Sequence, residues 1–343
     1  MKFIIGSEKV FTDFVNSINK DDKIGLLSHN DLDGVAAVVF LEKILEAKGL
    51  DVALIDFLSY GVGMFEKPTL EMKKKKVTKV FLSDINADES DIAGFEKLRQ
   101  DFDILLIDHH PPHPSLKNHD NIIKNHTHDC STWVLYNFAK DFYDVEEWDW
   151  LVCATMISEW SFKDEDNLKF LQSKYDDIKE DGFFETKSGA IAKKIANALK
   201  YYGGRTRKVY DSIKDNNLDQ IEKVSKEVEV ELESTIKKYK KEAKFYPEKN
   251  LYFYYGNPKF GIGNIVVTIL SQSKPSTFVF AYDSGLDKVK ISFRNNADSQ
   301  DVNELVKKGM KGLENATGGG HIAAASAIIM RKDFEKFKEN ILN

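Results

Sequence analysis

Short apolar runs alternate with longer segments of helical periodicity between residues 24 and 125. Each apolar run is about as long as one strand, and the runs occupy residues 24–28, 52–57, 79–83 and 103–107. Segments whose apolar residues recur at helical spacing lie near 34–45 and 92–99. This alternation predicts an α/β domain with a parallel sheet and helices on both faces. Such sheets bind their ligands at the carboxyl ends of the strands.

The pattern becomes mainly helical after this region. Residues 131–160 predict two apolar helices, and Ser131 and Thr132 at their start are typical of helix-capping residues. Helical patterns follow at 190–201 and 216–244. The second of these is rich in charged residues, which favours a solvated connector over a binding surface.

Strand patterns return after a turn-rich break at residues 246–250. We expect strands at 251–255, 276–282 and 288–293 and a helix around 302–308. These elements predict a second, smaller α/β domain. We therefore divide the chain into a first domain of residues 1–185, a helical connector of residues 186–245 and a second domain of residues 246–343.

Composition supports folded domains and limits the classes of partner. The chain has 343 residues, of which 42% are hydrophobic and 12% aromatic, enough to build two cores. The formal net charge is −6, which argues against a broad basic surface that grips long duplex DNA. A local basic groove for short or single-stranded nucleic acid remains compatible with this charge.

Cysteine content and the N-terminus indicate a protein of the reducing cytosol. Cys130 and Cys153 are too few for a disulfide framework. The apolar stretch near the N-terminus is soon interrupted by charge, so it does not match a signal peptide. No run approaches the ~18–20 apolar residues of a membrane helix. We expect a soluble, cytoplasmic protein that does not engage a membrane.

Three of the predicted strands end in potential metal ligands. These residues are His29, Asp31 and Asp33 after the first strand, Asp84 after the third, and Asp108, His109 and His110 after the fourth. A single strand-end Asp is more typical of a helix cap, but three such ends together favour a metal site. Carboxylates mixed with imidazole suit Mn²⁺ or a similar ion better than a thiolate-rich zinc site does. Two ions roughly 3.5–4 Å apart would need about this many ligands and would clamp the oxygens of a phosphoryl transfer.

A glycine run near the C-terminus suggests an anion-binding backbone. Gly318, Gly319 and Gly320 lack side chains and would let the backbone N–H groups approach an anion closely. We expect residues 322–326 to begin a helix, because the N-terminus of a helix favours phosphate.

The order of these motifs resembles that of the DHH phosphoesterase superfamily with its DHH-associated C-terminal domain. The resemblance rests on His29-x-Asp31-x-Asp33-Gly34, then Asp84, then Asp108-His109-His110, then Gly318-Gly319-Gly320-His321. It covers nearly the whole chain. It implies that the first domain is catalytic and that the second domain binds the substrate.

The resemblance also implies roles for the strand-end residues. His29 and Asp31 would hold one Mn²⁺, Asp33 and His109 would hold the other, and Asp84 would bridge the two ions. Mg²⁺ or Co²⁺ are alternative ions. A bridging carboxylate fixes the distance between two metals, and neutral imidazole tolerates Mn²⁺.

The remaining implied roles concern catalysis and the fourth motif of the family. Asp108 would orient an imidazole, as carboxylates commonly do near metals, and His110 would face the substrate phosphate. The family places another aspartate after a helix that follows the triplet. Here the matching position is Glu159, one methylene longer, and Asp164 is the alternative metal ligand.

The C-terminal motif implies the substrate-binding residues. By resemblance these are Arg294, which would contact a phosphate or base, together with Gly318, Gly319, Gly320 and His321. Recognition would then lie in the second domain and hydrolysis in the first.

We predict an Mn²⁺-dependent two-metal phosphodiesterase that releases nucleoside monophosphates from an end of its substrate. Partners would be short oligonucleotides, dinucleotides or single-stranded nucleic acid, and a homodimer is left open. One alternative is a RecJ-like exonuclease of single-stranded DNA, because residues 198–205 and the long helix after them resemble its connector. Another is a noncatalytic nucleotide-binding protein with a degenerated site, which Glu159 alone supports. A family II pyrophosphatase is disfavoured because it lacks the glycine-rich motif.

Overall fold

The fold divides into two compact units. The structure is a computed structural model that describes residues 2–114, 116, 120–179, 182–297 and 299–343. The first unit ends at Lys223 and the second begins at Val224. The functional division at residues 185 and 245 remains a prediction. Within the described ranges, no helix is both long enough and apolar enough to cross a membrane.

The first unit is built on a six-stranded sheet. Its strands are β1 (Phe3–Ile5), β2 (Ile24–His29), β3 (Val52–Leu58), β4 (Lys79–Ser83), β5 (Asp103–Asp108) and β6 (Ile122–Asn125). They lie in the order β1-β6-β5-β4-β2-β3, and all neighbours are parallel except β1 and β6. The chain leaves β2 for β3 on one side and returns to β4 on the other. This reversal of strand order is where open α/β sheets bind ligands.

Helices cover both faces of this sheet, as the sequence predicts. The helices of this unit are α1 (Glu8–Asn16), α2 (Leu32–Ala47), α3 (Glu66–Lys75), α4 (Ala87–Ser90), α5 (Ile92–Asp101), α6 (Ser131–Ala139), α7 (Asp149–Ser158), α8 (Glu165–Lys174), α9 (Lys187–Tyr202) and α10 (Arg207–Lys214), and α11 (Leu218–Glu242) continues from this unit into the second. Successive side chains of a strand point to opposite faces. Phe81 of β4 therefore packs against Phe14 of α1, while Leu82 joins a cluster with Met72 of α3 and Phe95 of α5.

The second unit has a mixed sheet of its own. Its strands are β7 (Lys244–Tyr246), β8 (Leu251–Gly256), β9 (Thr277–Gly285), β10 (Lys288–Arg294), β11 (Thr317–Gly320) and β12 (Ala324–Met330). The sheet order is β11-β12-β10-β9-β8-β7, and only the β8–β9 pair is parallel. The helices that begin within this unit are α12 (Gly263–Ser271), α13 (Val302–Met310) and α14 (Phe334–Leu342).

The predicted helix after the glycine run is wrong. Residues 321–323 form a turn, and Ala324 begins β12, which pairs with both β11 and β10. Burial alternates along β12, with Ala325, Ala327 and Ile329 inside, and this period of two fits a strand. Pairing with β10 and burial of alternate residues therefore outweigh the helical preference of the alanines.

Candidate active site

Register aligns the three strand ends that carry the predicted metal ligands. β4 lies between β2 and β5 in the sheet. Ser83 is paired with Ser28 on one side and with Ile107 on the other. The residues that follow these three, His29, Asp84 and Asp108, therefore emerge side by side at one edge. The structure brings together side chains from positions 29, 84 and 108–110.

His29 and Asp31 form a pair at the start of α2. His29 Nδ1 lies 2.7 Å from Asp31 Oδ2 and 3.7 Å from Asp84 Oδ2. Asp31 also caps α2, because its Oδ1 accepts a hydrogen bond from the Gly34 N–H at 3.0 Å. Burial acts to raise the pKa of Asp31, but the hydrogen bond and charge of His29 lower it to about 2. Asp31 is therefore a carboxylate ready to bind a cation.

Asp33 is fully buried and holds the N-terminus of α6. Its two carboxylate oxygens accept hydrogen bonds from the backbone N–H groups of Ser131 and Thr132, each at 2.8 Å. The sequence suggested Ser131 and Thr132 as the cap, but the capping carboxylate comes from α2. Because each carboxylate oxygen has two acceptor sites, Asp33 can cap the helix and still bind a metal.

His109 is oriented toward the carboxylates. Its Nδ1 lies 3.2 Å from the carbonyl oxygen of Thr127. A proton on Nδ1 that is donated to this carbonyl leaves Nε2 as the free lone pair. Nε2 lies 3.5 Å from Asp84 Oδ1 and 3.8 Å from Asp33 Oδ2. His109 thus presents to both acids a ring nitrogen that is suited to bind a metal.

Asp84 occupies the middle of this arrangement. Its backbone is left-handed, with φ of 53°, and its side chain is almost fully buried. Burial raises its pKa well above the ordinary value, and the nearby charges of Asp33 and Asp31 add to the shift. Its Oδ2 has no hydrogen-bond partner among the described residues. A buried carboxylate oxygen without a donor is costly unless a cation neutralises it.

Two groups of potential ligands share Asp84. One group is His29, Asp31 and Asp84, and the other is Asp84, His109 and His110. Within each group the ligand atoms lie within 4.8 Å of one another. Carboxylate and imidazole donors on both sides of one unpartnered carboxylate fit a pair of divalent cations.

Asp108 belongs to a buried charge network that the sequence analysis did not identify. Its Oδ1 lies 2.8 Å from His110 Nδ1, and its Oδ2 accepts from Lys124 Nζ at 2.5 Å. Lys124 stands directly opposite Asp108 on β6 and also binds Asp88 at 2.9 Å. Burial alone would raise the pKa of Asp108, but Lys124 and His110 hold it well below its usual range. Asp108 thus orients His110. The sequence feature that could have revealed this network is Lys124, a lysine within an otherwise mainly apolar strand.

Tyr60 is a second residue that the sequence analysis missed. Its ring lies 4.4 Å from the ring of His29, centroid to centroid. Its hydroxyl lies 3.4 Å from the carbonyl oxygen of Asp84 and 3.5 Å from His110 Nε2. Because β3 lies beside β2, the residues just after β3 reach the same edge of the sheet. The sequence pattern did not indicate Tyr60 as a site residue, because the strand before it ends without a charged residue.

Glu159 and Asp164, the two alternative metal ligands, have different surroundings. Burial raises the pKa of Glu159 well above its usual range, and the charges of Asp31 and Asp33 add to the shift. Its carboxylate is therefore close enough to the site to interact with these acids. Asp164 instead caps α8 by accepting hydrogen bonds from Asp166 N at 3.0 Å and from Asn167 N at 3.3 Å. Glu159 is thus the better placed of the two alternatives.

The second unit contains a cavity of about 350 Å³ between α12 and residues of β10, β11 and β12. Of the residues predicted to bind substrate, Arg294, Gly319 and Gly320 line it. Ser292 also lines it, and its buried Oγ lacks a hydrogen-bond partner among the described residues. Two glycine-motif neighbours do not line the cavity. These are Gly318, where a Cβ would approach Val306 Cγ1 to 2.9 Å, and His321, which is exposed in the turn before β12.

The fold is similar to those of known structures. Exonuclease RecJ bound to manganese matches with a TM-score of 0.73 and 16% identity, over 97% of this chain and 92% of that one. RecJ from Thermus thermophilus in complex with Mn²⁺ matches with a TM-score of 0.71 and 14% identity. That match covers 98% of this chain but only 54% of the Thermus protein. An exopolyphosphatase-related protein from Bacteroides fragilis matches with a TM-score of 0.57 and 15% identity, over 97% of this chain and 95% of that one.

Identities this low establish the fold alone, and no curated protein matches the sequence. Sequence-family comparison is more specific. The DHH family, N-terminal domain, matches residues 23–170, which contain the strand-end motifs. The DHHA1 domain matches residues 251–343, which contain the glycine run. With both domains present in this order, the chain belongs to the DHH phosphoesterase superfamily.

Proposed function

We propose that this protein is an Mn²⁺-dependent phosphodiesterase that uses two metal ions to release nucleoside monophosphates from an end of short oligonucleotides. The observation that carries the proposal is the buried carboxylate of Asp84, which belongs to both groups of potential ligands and whose Oδ2 has no hydrogen-bond partner among the described residues. His29 and Asp31 would hold one ion, and Asp33, His109 and Glu159 would complete the second. The bound ions would supply positive charge to the attacking and leaving oxygens of a phosphoryl transfer.

The protein residues around this centre have separate tasks. The Thr127 carbonyl orients His109, and Asp108 orients His110. Burial acts to lower the pKa of His110, but the hydrogen bond and charge of Asp108 raise it overall. A protonated His110 would donate to a nonbridging phosphate oxygen and stabilise its charge. Lys124 keeps Asp108 ionised and in place.

Substrate recognition is assigned to the second unit. Its cavity offers a guanidinium at Arg294 and a buried hydroxyl at Ser292, both suited to a phosphate group. A cavity of about 350 Å³ fits a ligand of the size of one nucleotide. These features support a substrate with few nucleotides. The proposal keeps the division into a catalytic domain at 1–185, a connector at 186–245 and a substrate-binding domain at 246–343.

A length series of labelled oligonucleotides tests the proposal. Purified protein with Mn²⁺ is expected to hydrolyse RNA or DNA of two to five nucleotides far faster than longer chains. Processive shortening of long single-stranded DNA would instead support the RecJ-like alternative, to which the likeness to exonuclease RecJ points. Release of inorganic phosphate from polyphosphate, with no attack on oligonucleotides, would support the class named in the Bacteroides fragilis structure.

The Asp84→Asn variant tests the metal centre, because it removes a carboxylate with little change in size. It should lose Mn²⁺-dependent hydrolysis, and retained turnover would contradict the assignment. Calorimetric titration with Mn²⁺ separates the noncatalytic alternative. Tight Mn²⁺ binding by the wild-type protein, without hydrolysis of any phosphodiester, would favour a nucleotide-binding protein.

A further inference from the structure

Trp160 is a large apolar residue that the fold leaves half exposed. Its relative exposure is 50%, whereas the other three tryptophans are buried or partly buried. It directly follows Glu159, the C-cap residue of α7. Neither the metal centre nor the cavity in the second unit uses it. Exposure of an indole at this position needs an explanation, because burial of such a ring is normally favourable.

The backbone at Trp160 is also unfavourable for its side chain. Its φ is 57° and its ψ is 26°, which is the left-handed region. The first residue beyond a helix C-cap often adopts this conformation, and the usual residue there is glycine. A bulky residue in this region is uncommon and strained. Trp160 is therefore held in a strained position where glycine would serve the helix end better.

Neighbouring aromatic rings hold the indole in place. Its centroid lies 5.4 Å from that of Phe162 and 5.2 Å from that of Phe184. Phe162 is in turn stacked on Phe183 at 3.8 Å with an interplanar angle of 9°. Lys163 Nζ lies over the indole at 5.2 Å from its centroid. The result is a supported, half-exposed aromatic surface with a cation over one face of the indole, which we call the Trp160 platform.

The Trp160 platform lies beside the candidate metal centre within the same unit. α7 packs against α2, whose first turn carries Asp33. The buried thiol of Cys130 lies near both Asp33 and Ser161. Adjacent Cα atoms are about 3.8 Å apart, so Trp160 is one residue from the carboxylate proposed to bind metal. Trp160 thus lies between Glu159, whose carboxylate interacts with the charges of Asp31 and Asp33, and Ser161, which contacts the thiol near Asp33, and its indole is half exposed.

We propose that the Trp160 platform stacks on the base of the nucleotide whose phosphodiester is cleaved. This inference rests on the proposed function and adds the determinant that selects nucleic acid over other phosphate esters. Stacking suits every base, since each has a π-face, and it therefore tolerates different sequences. Lys163 contributes a positive charge for the adjoining phosphate. A polyphosphate chain has no ring to stack and would gain nothing from the indole.

A pair of substrates isolates the contribution of the base. One is a dinucleotide, and the other is the same molecule with an abasic sugar in place of the terminal nucleoside. In Trp160→Ala, kcat/KM for the dinucleotide should fall about tenfold, and kcat/KM for the abasic substrate should stay unchanged. Trp160→Phe should retain most activity on the dinucleotide, because a phenyl ring also stacks. Equal losses on both substrates, or no loss on either, would overturn the proposal.

Two controls keep the result interpretable. Phe245 has a similar exposure of 41% and belongs to β7, so Phe245→Ala should leave both kcat/KM values unchanged. If the wild-type protein hydrolyses neither substrate, the proposed function fails. A binding measurement then tests separately whether the Trp160 platform stacks on a base. Dinucleotide should quench tryptophan fluorescence in the wild-type protein and not in Trp160→Phe. Equal quenching in both proteins would contradict the proposal that Trp160 stacks on the base.

Discussion

Lys124 Nζ lies 2.5 Å from Asp108 Oδ2, and neither side chain is exposed to solvent. A second buried carboxylate, Asp88, contacts the same nitrogen at 2.9 Å. One lysine therefore pairs with two acids beside the candidate metal ligands. Removal of one partner from a buried ion pair leaves an uncompensated charge, which is far more damaging than loss of a surface pair.

Lys124→Met should destabilise the protein by about 3–5 kcal/mol. The free energy of unfolding, measured by urea titration without metal, checks this value. Lys73→Met is the matched control, since Lys73 pairs with Asp101 at 2.6 Å with its side chain 51% exposed. That change should cost about 1 kcal/mol or less. Similar losses of unfolding free energy in the two variants would show that the buried pair contributes no more to stability than the exposed pair.

The cost of Lys124→Met should increase as the pH rises from acid to neutral. In the wild-type protein burial acts to raise the pKa of Asp108, but Lys124 and His110 lower it, so Asp108 contributes stability above the ordinary value of 3.8 and loses it as the pH falls. Without Lys124, burial should raise the pKa of Asp108, so protonation of this carboxyl at acid pH should relieve part of the cost. Lys124 also lowers the pKa of His110, so protonation of His110 should stabilise the variant more than the wild-type protein at acid pH. Unfolding of both proteins measured between about pH 5 and 9 checks this, and a difference that does not grow with pH would contradict the pair's assignment.

Asp84→Asn should make the metal-free protein more stable while it removes the response to Mn²⁺. The substitution eliminates a buried charge that faces Asp31 and Asp33. Metal that binds only the folded state raises the melting temperature of the wild-type protein. Thermal unfolding in chelator and in Mn²⁺ measures both effects. An undiminished Mn²⁺ response in the variant would exclude Asp84 as a ligand.

Asp91 supplies the matched control for this experiment. It is a buried aspartate outside both ligand groups, and it caps α5 by accepting a hydrogen bond from Gly94 N at 3.2 Å. Asp91→Asn should keep the full rise in melting temperature on addition of Mn²⁺.

Glu159→Gln and Asp164→Ala should separate metal binding from helix capping. Loss of the Glu159 carboxylate should weaken Mn²⁺ binding about tenfold or more, as measured by calorimetry. Loss of the Asp164 cap should cost about 1 kcal/mol of unfolding free energy and leave Mn²⁺ affinity unchanged. The opposite result would identify Asp164 as the residue of the fourth motif.

Tyr60→Phe should lower kcat/KM about fivefold without a change in stability. The hydroxyl lies within 3.5 Å of His110 Nε2 and of the Asp84 carbonyl, at distances that favour weak hydrogen bonds. The phenyl ring retained in the variant still packs against His29. Tyr255→Phe, which removes a hydroxyl that binds Asp283 in the second unit, should leave turnover unchanged. Equal activity of Tyr60→Phe and the wild-type protein would remove Tyr60 from the site.

The sequence predicted the edge of the sheet where the site lies, because strand ends are marked by a change from apolar to polar residues. Asp84 and the 108–110 triplet follow long apolar runs and were therefore visible. Lys124 was not, since it lies in a four-residue strand and a lone lysine usually indicates solvent. Its role depends on the opposite residue in β5, and cross-strand register cannot be read from one sequence.

At the C-terminal motif, the sequence identified the residues but predicted the wrong secondary structure after them. The glycines of residues 318–320 were identified, but the alanines after them predicted a helix that is a strand. Gly320 has φ of 154°, and a Cβ there would lie 2.2 Å from the carbonyl oxygen of Ala324. The glycines thus serve the close approach of β11 to β12. The local preference of the alanines predicted a helix, but pairing within the sheet makes this segment a strand.

Arg294→Gln should raise KM for a dinucleotide about tenfold and leave kcat nearly unchanged, because the guanidinium lines the cavity of the second unit, whereas the proposed metal ligands belong to the first. Loss of one phosphate contact should also reduce the dependence of binding on salt by about one unit of slope. Kinetics at several salt concentrations measure both effects. Arg331→Gln is the control, since Arg331 is exposed and pairs with Asp283. If Arg331→Gln raises KM as much as Arg294→Gln does, general surface charge rather than the cavity attracts the substrate.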